Sequence, residues 1–115
     1  MTTSEAKSSM PIACRPQALT TSERKRSLSL RAELAAATKK TSPLADGFAF
    51  EYAPDAALFQ KVAEWISLER RCCPFLAFDL QWAQGDAASP RLSITGPDGT
   101  KDFLAAEMAQ PPDGG

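Results

Sequence analysis

The sequence contains no histidine, and that absence removes a large class of chemistry. Without imidazole there is no Ser-His-Asp or Cys-His catalysis, no His-containing zinc finger and no His-ligated haem. An excess of one charge is also lacking. Against 14 Asp+Glu stand 13 Lys+Arg, a formal net charge of -1, which gives no broad electrostatic footprint for nucleic acid. No segment approaches the roughly 20 consecutive apolar residues that span a bilayer, so neither nucleic acid nor membrane is an expected partner. Cysteine is sparse, three in 115 residues, and the odd number excludes a fully paired disulfide framework within one chain.

What is present fits one small domain. A length of 115 residues leaves no room for a second core, and 43% hydrophobic residues are too many for wholesale disorder. The expected organisation is a polar, disordered tail over 1–10, a single domain over 11–110, and a flexible tail over 111–115. The opening MTTSEAKSSM lacks the apolar segment of a secretory signal. Pro11-Ile12-Ala13-Cys14 has a faint likeness to a lipoprotein cleavage site, but no apolar run precedes it. The expectation is a cytoplasmic protein, where thiols stay reduced.

Local signals then give an element order. Thr20-Thr21-Ser22-Glu23 offers a capping box for a helix over 20–40, with Leu30, Leu34 and Ala37 as its stripe and Lys39 and Lys40 at its negative end. Thr41-Ser42-Pro43 ends it and Asp46-Gly47 turns the chain. Phe48-Ala49-Phe50-Glu51-Tyr52 alternates as a strand, with Phe48, Phe50 and Tyr52 on one face. Asp55 caps a second helix to about Cys72, which Pro74 stops. Strands over 78–82 and 91–95 follow and pair with each other, and a last helix runs over 101–110. The predicted class is α+β in the order α-β-α-β-β-α. Its small three-stranded sheet, with a short extended piece at 12–14 as a candidate fourth strand, is covered by helices on one face. Phe48, Phe50, Phe59, Trp65, Phe78, Trp82 and Phe103 are expected to supply much of the core.

Projecting the second helix at about 100° per residue isolates the one place where the pattern departs from its own rule. Leu58, Val62, Trp65 and Ile66 form the buried stripe; extended by one and two turns, it reaches Glu69 flanked by Cys72 and Cys73. Gln60, Glu64, Ser67 and Arg71 lie opposite. A carboxylate and two thiols thus converge on the core side of a helix end. Three readings stand. Thiolates select soft ions such as mercury or zinc, and the same preference extends to arsenic(III), so Cys72 and Cys73 can be primary ligands with Cys14 and Glu69 completing the site. Arg70, Trp65 and Phe75 would surround it. Alternatively, the cysteines are apolar fillers of a noncatalytic protein- or ligand-binding domain, and Glu69 pairs with Arg15, Arg24 or Arg26. In the third, Cys14 and one of the vicinal pair form a thiol redox couple, since adjacent cysteines close a disulfide only with strain. No catalytic residue is assigned, and a protein partner or homodimer stays open. Arg24-Lys25-Arg26 and Arg70-Arg71 read as solvated faces, and the 95–100 loop lacks the Lys-Ser/Thr of a P-loop.

Glu64-Trp65-Ile66 followed by Glu69-Arg70-Arg71-Cys72-Cys73-Pro74-Phe75-Leu76 and Phe78 resembles a group of small bacterial proteins with a Cys-Cys-Pro-Phe core, without a settled activity. A similar segment occurs at the C-terminal end of some MerR-type regulators of metal and stress responses. The likeness extends from Cys14, Ala18-Leu19 and Glu23-Arg24 through Asp46-Gly47-Phe48. It continues to Leu92-Ser93-Ile94-Thr95-Gly96-Pro97 and Gly99-Thr100-Lys101-Asp102-Phe103-Leu104, covering about residues 12–105. It implies a compact domain that includes all three cysteines, and its regulator neighbours carry a metal connotation by analogy alone. The chain has no helix-turn-helix portion, so DNA reading does not transfer.

Overall fold

A computed structural model of the chain describes residues 11–109. The tails expected at 1–10 and 111–115, and the last residue of the expected final helix, lie outside the described residues. A 3-10 turn, Pro16–Ala18, leads into α1 (Thr21–Ala37), β1 (Lys40–Leu44), β2 (Gly47–Glu51), α2 (Ala56–Cys72), β3 (Ala77–Gln81), β4 (Arg91–Thr95) and α3 (Thr100–Ala109). The sheet has four strands in the order β1-β2-β4-β3, every neighbouring pair antiparallel.

This corrects the expected three-stranded α-β-α-β-β-α arrangement to α-β-β-α-β-β-α. The additional strand is not the piece at 12–14, which has no regular structure, but the segment Lys40–Leu44. Its residues read as a helix end and a loop because Lys40, Ser42 and Pro43 carry no strand signature, and Thr41 alone among its polar residues favours one. Tertiary pairing overrides that. Helix α1 stops at Ala37; the Thr38 hydroxyl donates back to the Leu34 carbonyl at 2.8 Å, and the Lys39 amide donates to Glu51 at 2.8 Å, drawing the chain into the sheet. Lys39 and Lys40 therefore do not serve the helix dipole. Leu44 pairs with Gly47 across the Ala45-Asp46 turn, and a Cβ on Gly47 would collide with the carbonyl oxygen of Ile94. Pro43, lacking an N–H, is tolerated because β1 is an edge strand.

Register places the apolar residues on one face. Phe48, Ile94 and Phe78 form one cross-strand row, and Phe50, Leu92 and Leu80 the next. The opposite face carries Ala49, Ser93 and Asp79, then Glu51, Arg91 and Gln81. On the apolar side Leu92 and Ile94 pack with Leu34 of α1, Val62 of α2 and Leu104 of α3. A second cluster, Leu19, Leu30 and Leu68, joins the chain ahead of α1 to the α1–α2 interface.

The core is more aliphatic than expected. Of its aromatics only Tyr52 and Phe75 are buried; Phe48, Phe50, Phe59, Trp65, Phe78 and Phe103 sit at its margin, and Trp82 is 37% exposed. Large rings bridge the gap between core and solvent in pairs, Phe59–Trp82 at 5.0 Å, Trp65–Phe78 at 5.9 Å and Phe75–Phe103 at 5.1 Å between centroids.

Candidate functional site

The site begins with the C-terminal end of α2. Asp55 starts this helix by accepting from the amides of Ala57 (2.9 Å) and Leu58 (3.4 Å), which fixes its first turn. At the other end Cys73, kept out of helical geometry by the following Pro74, donates its amide to the Glu69 carbonyl at 2.7 Å. The helix thus delivers Trp65, Glu69 and Cys73 at spacings of four residues, along one side.

Cys14 arrives from a different part of the chain. The Arg15 amide donates to the Cys72 carbonyl at 2.5 Å, and the turn after it rests on α2. Arg71 clamps the same junction. Its guanidinium donates to Glu23 Oε2 at 2.9 Å, to Oε1 at 3.1 Å and to the Ala18 carbonyl at 3.0 Å. Leu19, 5% exposed, anchors the segment against Leu30 and Leu68.

The consequence is a cluster. The Sγ atoms of Cys14, Cys72 and Cys73 all lie within 4.8 Å of one another, and Cys14 and Cys73 are joined as a disulfide, leaving Cys72 free. The three differ in access: Cys14 is exposed, Cys72 half-buried and Cys73 fully buried. Burial pushes the Cys72 thiol above its ordinary range, and the Glu69 charge adds to that push, while the Arg15 amide acts against it. Cys72 is therefore held as a thiol rather than a thiolate at neutral pH.

Glu69 reaches the cluster at one point, its Oε2 standing 3.5 Å from Cys73 Sγ; in the disulfide that sulfur carries no proton, and only a reduced Cys73 could donate to the carboxylate. Its Oε1 accepts from the Ser27 hydroxyl at 3.4 Å. Burial raises the Glu69 carboxyl above its ordinary range, nearby Arg31 and the Ser27 hydrogen bond pull it down, and Glu107 pushes it up again. None of Arg15, Arg24 and Arg26 pairs with it among the described residues. Arg26 instead forms a two-pronged pair with Glu64 at 2.8 Å, and Arg24 donates to the carbonyls of Pro16 and Leu19.

The expected surroundings divide. Trp65 stands edge-on to Phe78, with its indole N–H buried and without a hydrogen-bond partner among the described residues. Phe75 is 3% exposed and stacks edge-on with Phe103. Arg70 is exposed, with no ion pair among the described residues. Three residues escaped the sequence reading. Ser27, 8% exposed, faces Glu69 from α1. It precedes Leu30 by three and Leu34 by seven, so a polar residue inside that stripe was the available signal. Arg31 and Glu107 meet across 76 residues of chain, and nothing local marks them.

No family model, curated protein or solved structure matches the chain. Among the described residues no helix is long and apolar enough to cross a membrane.

Proposed function

We propose that this chain is a thiophile-binding domain whose site is gated by a disulfide. In the reduced form Cys14, Cys72 and Cys73 hold one soft metal or metalloid ion, of the mercury, arsenic(III) or zinc type. The single observation that carries the reading is the mutual approach of the three sulfurs within 4.8 Å. Sulfurs bound at about 2.3 Å to a common ion stand about 4 Å apart, so the cluster closes by side-chain movement alone. Glu69, beside Cys73, is the oxygen able to take up the proton that Cys73 releases as it binds.

The disulfide removes two of the three donors. A dithiol reductant restores them: two electrons and two protons pass to Cys14 and Cys73, and the reductant leaves as its own disulfide. The raised Cys72 thiol works against the ion, which must displace its proton to bind the thiolate, so binding strengthens as pH rises. A cytoplasmic setting would favour the open form.

The disulfide itself favours a second reading, a thiol redox couple of Cys14 and Cys73 that binds no ion. One experiment separates the two. Reduced protein is titrated with mercuric ion and with arsenite, following thiolate-to-ion ultraviolet absorption, beside Cys14→Ser, Cys72→Ser and Cys73→Ser. The proposal expects one ion per chain and a loss of at least about tenfold in affinity for each variant. Indifference of binding to all three substitutions, or no binding by the reduced chain, overturns it.

A further inference from the structure

Next to the cysteine cluster, and apart from it, lies a cavity of about 280 Å³ walled by Leu34, Phe50, Leu92, Ile94 and Leu104. Three charged side chains reach its lining, Arg31 of α1, Glu69 of α2 and Glu107 of α3. Their charges do not balance. Arg31 is already engaged with α3, its Nη1 standing 3.3 Å from Glu107 Oε1 while Nη2 donates to the Glu107 carbonyl at 2.8 Å. Glu69 makes no ion pair among the described residues; its oxygens meet only the Ser27 hydroxyl at 3.4 Å and the Cys73 sulfur at 3.5 Å. A carboxylate on an apolar wall without a cation is costly, and the same geometry makes it a strong recognition point for one.

We infer that this cavity is a binding site for a small amphiphilic amine, its apolar body lying between the sheet and α3 and its ammonium pairing with Glu69. Charge decides against the other ligand classes. An anion would meet two carboxylates and a guanidinium already occupied, and a neutral apolar molecule would leave Glu69 unpartnered. Size narrows the body. Ligand cavities run from about 300 to 1,000 Å³, so this one accepts a single ring or a short branched chain. The inference uses no sulfur ligand and shares only Glu69 with the thiophile reading.

The test uses the full chain, disulfide intact, with a chelator present so that no ion occupies the cysteines. Phenethylamine, 2-phenylethanol and 3-phenylpropanoate are titrated by calorimetry and by amide chemical shifts. Phenethylamine is expected to bind at least about tenfold tighter than the alcohol, the carboxylate weakest, with shifts centred on Leu92, Ile94 and Leu104. In Glu69→Gln the preference for amine over alcohol collapses while alcohol binding persists, which also shows the variant folded. Leu104→Trp, which fills the cavity, blocks both. Cys72→Ser, which removes a thiophile ligand, leaves the amine preference intact. Equal binding of amine and alcohol, a preference that survives Glu69→Gln, or no saturable binding of any probe overturns the inference.

Discussion

At Glu69 two demands meet in one side chain. The helical stripe carries it inward, and burial then works against its charge, with only a distant guanidinium and one hydroxyl in compensation. A carboxyl whose folded pKa is raised ionises more readily in the unfolded chain, so ionisation favours unfolding. The cost is absent below the unfolded value, near the ordinary 4.5, and grows as pH rises through and above it. Glu69→Gln, a neutral mimic of similar shape, is therefore expected to raise the melting temperature at pH 7 and to match the parent chain near pH 4. Thermal unfolding followed by circular dichroism at both pH values checks this. A variant that melts lower at pH 7 would mean that Arg31 more than repays the burial. The surface pairs Arg26–Glu64 and Arg71–Glu23 depress both carboxyls, yet their side chains stay open to water and their part is orientation rather than stability.

Helices α1 and α2 begin where their residues can satisfy their first amides, and that logic was readable locally. The Thr20 hydroxyl accepts from the Glu23 amide at 3.1 Å, and Glu23 Oε1 accepts from the Thr20 amide at 2.9 Å, a complete capping box. Asp55 does the same work for α2. Thr20→Ala and Asp55→Ala are each expected to cost about 1 kcal/mol, read as a shift in urea midpoint at unchanged slope. Glu23 has a second duty, receiving Arg71 from the far end of α2, so Thr20→Ala also loosens the segment that presents Cys14. The strand at Lys40–Leu44 shows the opposite case. Apart from Thr41 little in its composition asks for a sheet, and it is a strand because β2 offers it partners.

At the scale of the whole molecule the Cys14–Cys73 bond ties the start of the described chain to the end of α2 across 59 residues of sequence. Closing a loop of that length restrains the unfolded chain by at most about 4 kcal/mol. Cys14→Ser is expected to lose about 2–4 kcal/mol against the oxidised parent in urea unfolding. A dithiol should bring the parent down to the variant and leave the variant where it is. Equal losses in both chains on reduction would contradict a stabilising role. Under the proposed function the three cysteines would couple stability to redox state: oxidised, the chain is held more firmly; reduced, it regains its donors, and a bound ion would restore that margin.

Local chemistry was enough to determine the caps of α1 and α2, the stop at Pro74, the pairing of the last two strands, and the inward stripe that brings Glu69, Cys72 and Cys73 to one helix end. These rest on spacing within a few residues, where sterics and hydrogen bonding act directly. Tertiary structure alone decided the rest. It placed Cys14 against Cys73, drew Lys40–Leu44 into the sheet, set Arg31 on Glu107 rather than on Glu69, and left a cavity between sheet and α3. Each of these joins segments far apart in sequence or depends on a partner strand. Such contacts form because chain packing lowers the free energy of the whole, and no residue announces its distant partner in its own neighbourhood.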